Sequence, residues 1–157
     1  MIDLVNFFAY GDLMDEEYFK AQGLEYVDKS SVTLSAWRLV FNRIPTDENS
    51  PEGLGLANIE PTHNNAGMMF GMNYEMKDSF VPLLDKIHDY PKQFVRKVLR
   101  LNRHDFTLIN GFAYIARPEL TKKGLKPSKA MMKTLRITKK HVPMLYFSRL
   151  MGTKTLD

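Results

Sequence analysis

Phe8-Ala9-Tyr10-Gly11-Asp12-Leu13-Met14 is the stretch on which the reading of this chain turns. It closes the apolar run Leu4-Val5-Asn6-Phe7-Phe8-Ala9, which has the length of a buried strand rather than a helix. Tyr10-Gly11-Asp12 then reads as a tight turn. Asp12 or Asp15 is placed to cap a short helix from Glu16 to Gln22, with Gly23 as its stop. Glu16 and Glu17 fall in its first turn, where the helix dipole favours acids. A turn between a strand and a helix presents unpaired backbone N–H groups, and such groups bind anions. Tyr10, Gly11, Asp12, Leu13 and Met14 are therefore candidate binding residues. Most junctions of this kind bind nothing, so the loop needs support from elsewhere.

Working outward, Val32 to Asn42 changes phase. Val32, Leu34 and Ala36 share one face, then Trp37, Leu39 and Phe41 share the other, as in a bulged strand or two short strands. Arg43 to Gly53 is rich in Pro, Asp, Asn, Ser and Gly and reads as a loop. Gly55 to Glu60 is expected as a strand, and Gly67 to Met76 as its hairpin partner across the turn Pro61–Asn65. Asp78 is placed to cap a helix carrying Phe80, Val81, Leu83, Leu84 and Ile87 at helical spacing, ended by Tyr90-Pro91. Phe94 to Leu101 and Phe106 to Ala116 form a second expected hairpin. Phe94, Phe106, Phe112 and Tyr114 are expected mostly in the core. After a basic loop, Arg117 to Lys126, come a helix from Pro127-Ser128 and a last one from Pro143 to Gly152. The sum is an α+β chain with about six mainly antiparallel strands, in a sheet or a small barrel, with inserted and appended helices. No repeat or linker divides residues 1–157, so a single domain is expected.

Composition narrows the function classes. With no cysteine among its 157 residues, the chain has no disulfide and no thiolate metal site. The net charge of +4 conceals an asymmetry. Residues 1–90 hold 6 Lys/Arg against 15 Asp/Glu, a net of −9, and residues 91–157 hold 16 against 3, a net of +13. The basic residues are spread over several elements, so the two halves are expected to interleave and offset each other rather than build a nucleic-acid stripe. No run approaches the roughly 18 apolar residues of a membrane span, and the acidic start of the sequence is unlike a signal peptide. A cytoplasmic protein is expected.

Few catalytic patterns are present. His63, His88, His104 and His141 lie far apart with no metal-binding spacing, so no metal is expected and no cofactor is implied. Gly67-Met68-Met69-Phe70-Gly71 lacks the third glycine of a dinucleotide loop. His88 stands out as a group poised for proton transfer near neutral pH, although a histidine is also favoured at a helix end by the dipole alone.

Five segments, taken in order, resemble γ-glutamylcyclotransferase-like proteins. Phe8-Ala9-Tyr10-Gly11-Asp12-Leu13-Met14 is similar to the family's F-x-Y-G-[ST]-[NL]-[LM] substrate loop. Ala36 to Asn42 is similar to its "rLvFn" strand, Gly55 to Pro61 to its "G-x-A-N-I-x-P", and Gly71 to Met76 to "G-v-x-Y-x-l". Leu84-Asp85-Lys86-Ile87-His88-Asp89-Tyr90-Pro91 is similar to "L-D-x-x-E-G-x-P". The tail from Pro127-Ser128 through Pro143 and Tyr146 resembles the family's C-terminal segment. The resemblance implies an enzyme that releases 5-oxoproline from γ-glutamyl compounds. The glutamyl α-amine would attack its own γ-carbonyl, with residues 10–14 as the substrate loop and His88 where the family has its catalytic Glu. Asp89, in place of a glycine, is a candidate helper. Asp12 replaces a small hydroxyl residue, and Phe94 and Met131 stand at two tyrosine positions.

Two functions follow. The first that the resemblance implies is a diverged cyclotransferase-like enzyme acting on a γ-glutamyl amine or peptide with His88 as base. Alternatively it is a non-catalytic member that binds a small ligand, with acidic Asp12 suiting an amine, or serves as an interaction domain. Nucleic acid is the weakest of the partner classes, no membrane partner is expected, and oligomeric state is not legible.

Overall fold

A computed structural model describes residues 3–157. The apolar run at the start forms β1 (Leu4–Ala9). Phe7, Phe8 and Ala9 are all buried, with Phe7 and Ala9 in one core cluster and Phe8 in another. Successive side chains of a strand point to opposite faces, so β1 is covered on both sides, which explains its unbroken hydrophobicity. Helix α1 (Glu16–Ala21) follows, capped by Asp15, whose carboxylate accepts the Tyr18 N–H at 3.2 Å. Asp12 makes no such cap.

The phase change after Val32 separates two strands, β2 (Asp28–Ser35) and β3 (Trp37–Arg43). Ala36 between them has φ +64°, and that left-handed residue turns the chain out of one sheet into another. β4 (Leu56–Pro61) pairs antiparallel with β3. β5 (Met68–Lys77) does not form the expected hairpin with β4. It pairs antiparallel with β1 on one side and β2 on the other. Its burial supplies the reason: Met69, Met72, Tyr74 and Met76 and the intervening Asn73 are all buried, as befits a strand with covered faces and two neighbours. The turn before it, with Asn64 and Asn65 at φ +62° and +53°, redirects the chain instead of closing a hairpin.

α2 (Val81–Ile87) follows a 3₁₀ turn over Asp78–Phe80, and no side chain caps either, so the expected Asp78 cap is not made. β6 (Phe94–Asn102) and β7 (Leu108–Ala116) form the second hairpin in continuous register. Phe106 is not core: it sits in that hairpin's turn at φ +66° and is 91% exposed. α3 (Lys129–Leu135) is capped by Ser128, and α4 (Met144–Met151) ends at Gly152.

Among the described residues there are seven strands, close to the six or so expected. Five close a barrel in the order β1-β5-β2-β6-β7, sealed by a parallel contact at Phe7 and Phe112, while β3 and β4 form a separate two-stranded sheet. The acidic and basic halves do not alternate in that barrel: β1, β5 and β2 of the first half lie side by side, and β6 and β7 of the second half close it at the β2–β6 and β7–β1 seams. No helix among the described residues is long and apolar enough to cross a membrane.

Gly71 shows how tightly β5 meets β1. A Cβ there would run into the Phe8 ring and come within 2.6 Å of the Ala9 carbonyl oxygen. Gly71→Ala is therefore expected to lower unfolding free energy by about 1–3 kcal/mol, read from urea unfolding midpoints; an unchanged midpoint would show that the β1–β5 seam yields freely.

Candidate functional site

The loop after β1 is shaped by its own short bonds. Asp12–Met14 is one 3₁₀ turn, with Met14 N–H donating to Gly11 O at 3.0 Å and Asp15 N–H to Asp12 O at 3.1 Å. The buried Tyr74 hydroxyl ties the turn down by donating to the carbonyls of Leu13 and Met14, at 2.7 and 3.1 Å. The N–H groups of Gly11, Asp12 and Leu13 donate to no backbone carbonyl among the described residues. They head the turn without a backbone acceptor, as the strand-to-helix pattern requires.

A cavity of about 250 Å³ opens beside this loop. Tyr10, Gly11, Asp12 and Leu13 form one wall. Met14 does not reach it, because the turn rotates that side chain into the core, where it is 1% exposed. His88 faces the same cavity from the end of α2, and Arg43, Phe94, Tyr114 and Met131 are among the other residues that line it. Asp12, His88, Phe94 and Met131, four of the positions that depart from the resembled pattern, thus share one space. Asp89 stands apart. It is exposed at φ +50°, and its carboxylate accepts from Gln93 Nε2 at 3.0 Å rather than touching the imidazole.

The state of His88 follows from its partners. Its ring stacks on Tyr114 at 3.8 Å between centroids, with Phe94 edge-on at 5.6 Å. Nδ1 lies 2.8 Å from the Leu84 carbonyl oxygen. A carbonyl only accepts, so Nδ1 carries the proton and Nε2 of the neutral ring keeps a free lone pair. Burial lowers the pKa to about 4, helped by the Arg43 charge, while the Leu84 bond and Asp85 oppose the shift. At neutral pH the group is an uncharged acceptor.

Tyr114 connects the parts. Its hydroxyl donates to Asp85 Oδ1 at 2.7 Å, and Arg96 lies 3.6 Å from the same oxygen. Its carbonyl accepts the Tyr10 hydroxyl at 2.6 Å. Burial raises the pKa of both phenols, so both remain protonated donors. Asp12 is raised above the ordinary carboxylate value by burial, with the N–H groups of Leu13 and Asp12, the Tyr18 hydroxyl and Arg43 pulling the other way. The loop's donors therefore already face a carboxylate of their own chain.

Arg43, at the end of β3, was not singled out from the sequence. The available signal is a cation in period-two phase with the apolar Trp37, Leu39 and Phe41. Among the described residues no group of His, Asp or Glu side chains is arranged to hold a metal ion.

Against known proteins, no protein-family profile matches the chain, and no curated protein matches it in sequence. Solved structures do match. A protein described as a gamma-glutamyl cyclotransferase superposes with TM-score 0.82 at 17% identity, covering 99% of this chain and 90% of its own. An uncharacterized protein from Homo sapiens gives 0.79 at 17% identity, covering 98% and 90%. A gamma-glutamyl cyclotransferase specific to glutathione from yeast gives 0.67 at 8% identity, covering 94% of each chain.

The depressed imidazole makes a measurable claim on stability. Between about pH 6.5 and pH 4 the unfolded chain binds a proton at His88 that the folded chain refuses, so stability falls as pH drops through that window. Comparing urea unfolding at about pH 7 and pH 4.5, wild type is expected to lose about 2 kcal/mol more than His88→Gln. Equal losses in the two proteins would show that His88 titrates normally.

Proposed function

Given that this chain has the γ-glutamyl cyclotransferase-like fold, we propose that its cavity receives a γ-glutamyl compound and that His88 Nε2 acts as the base for its cyclisation. The observation that carries the reading is a neutral imidazole, with its Nε2 lone pair free, in the same cavity as the N–H groups of residues 11–13, which no backbone carbonyl takes. The α-amine nitrogen, entering unprotonated, attacks the γ-carbonyl carbon. The developing oxyanion is met by the loop's N–H groups, and the new nitrogen cation gives its proton to Nε2. The bond from the carbonyl carbon to the departing amine then breaks, and the same proton passes from Nε2 to that amine. The products are 5-oxoproline and a free amine.

A base this weak suits only one step. Nε2 cannot deprotonate a free ammonium efficiently, because its own pKa of about 4 is far below that of an amine. It suffices for the acidic N–H created by the attack. Activity would then depend little on His88 titration above pH 5, with its acid limb near pH 4 rather than 6.5.

One observation favours the second reading, a ligand-binding protein without turnover. The Asp12 carboxylate lies against the N–H groups of residues 12 and 13, where an oxyanion would need them. Such a site would hold an amine ligand and leave it intact.

Incubation with γ-glutamyl amino acids, γ-glutamylamines and glutathione, followed by assay of 5-oxoproline, separates the two. Release that falls about 10²–10⁴-fold in His88→Ala, and survives in His88→Glu, is the expected result. No product above the His88→Ala background would leave the binding reading.

A further inference from the structure

We propose that Arg43 anchors a carboxylate of the bound ligand, so that the cavity selects compounds with a free α-carboxylate beside the amine. The inference rests on the cavity being the γ-glutamyl site and assigns the group that reads the ligand's amino-acid end. Arg43 lines the cavity, yet no carboxylate among the described residues lies within ion-pair distance of it. Its partners are neutral and distant: Nε faces the Ala57 carbonyl oxygen at 3.4 Å and one Nη faces Gln93 Oε1 at 3.3 Å. The other Nη has no hydrogen-bond partner among the described residues. The Phe94 ring lies 4.8 Å from the guanidinium carbon.

A guanidinium half out of water and without a counter-ion is costly unless something compensates. An incoming carboxylate supplies that compensation, because the two-pronged guanidinium matches it with paired charge-assisted bonds. The prong is also prepared in advance. Asp89 accepts from Gln93 Nε2, which turns the Gln93 amide oxygen toward Arg43. Asp89 therefore acts as a positioning residue for Arg43, not as a partner of the imidazole.

The opposite charge stands on the loop wall. Asp12 and Arg43 border one cavity without forming an ion pair with each other. A ligand carrying an ammonium and a carboxylate on one carbon can address both. His88 is neutral, so it competes for neither end.

The test uses γ-glutamylmethylamide and the same compound with its α-carboxylate converted to a carboxamide. Binding to the full chain is measured by calorimetry, with 5-oxoproline assayed in the same samples. Wild type is expected to bind the acid about 10- to 100-fold more tightly than the carboxamide. Arg43→Gln should bring that preference to within about three-fold, and Arg43→Lys should retain part of it. The wild-type comparison stands by itself should Arg43→Gln fold poorly. Equal affinity for the two compounds, no binding of the acid, or an undiminished preference in folded Arg43→Gln would overturn the inference. Arg43-dependent binding of the acid without 5-oxoproline would uphold it and remove the turnover reading. Equal turnover of both compounds would do the reverse.

Discussion

Tyr114 is the constraint on which the cavity depends. One residue of β7 ties two separate parts of the chain to it, α2 with its C-terminal end and the loop after β1. Its ring is the platform for His88, its hydroxyl is spent on Asp85 of α2, and its carbonyl receives Tyr10 of the loop. Each bond is modest by itself, on the order of 1 kcal/mol net. Together they leave the imidazole one orientation, while the Leu84 carbonyl sets its tautomer. The parallel closure of the barrel next to Phe112 makes this possible, because it brings β7 beside β1 and therefore beside the loop that β1 feeds.

The cavity pairs an apolar wall with a few unsatisfied polar groups. Phe94 and Met131, which line it together with His88, bring no hydroxyl to it. That drying lowers the basicity of His88 and leaves it neutral. The same wall leaves Arg43 without a counter-ion, while Asp12 brings a negative charge to a loop built of positive N–H ends. The cavity thus holds two opposite side-chain charges, Asp12 and Arg43, that form no ion pair with each other.

Local signals carried much of this in advance. The β1 run, a cap at Asp12 or Asp15, the helix start at Pro127-Ser128, the phase change at Ala36 and the β6–β7 hairpin were all legible, because each depends on residues close in sequence. The pairing of β5 was not, since adjacency favours a hairpin with β4 and nothing local reveals two distant neighbours. Phe106 misled for the same reason: an aromatic residue reads as core until the turn places it outside. Of the site, the loop and His88 could be named from their residue types. Asp89 could not be assigned correctly, because its partner Gln93 and the guanidinium beyond it converge only through the turn after α2.

The amino-acid sequence by itself determined the α+β class, the strand-to-helix loop at Tyr10–Met14 and the lone candidate base, because period, capping and residue chemistry are short-range properties. Only the tertiary structure decided that Met14 turns inward and that Arg43 enters the cavity. It also decided that His88 is a neutral acceptor rather than a group titrating near pH 6.5. Those outcomes depend on desolvation and on contacts between residues dozens of positions apart. Neither quantity exists until the barrel closes.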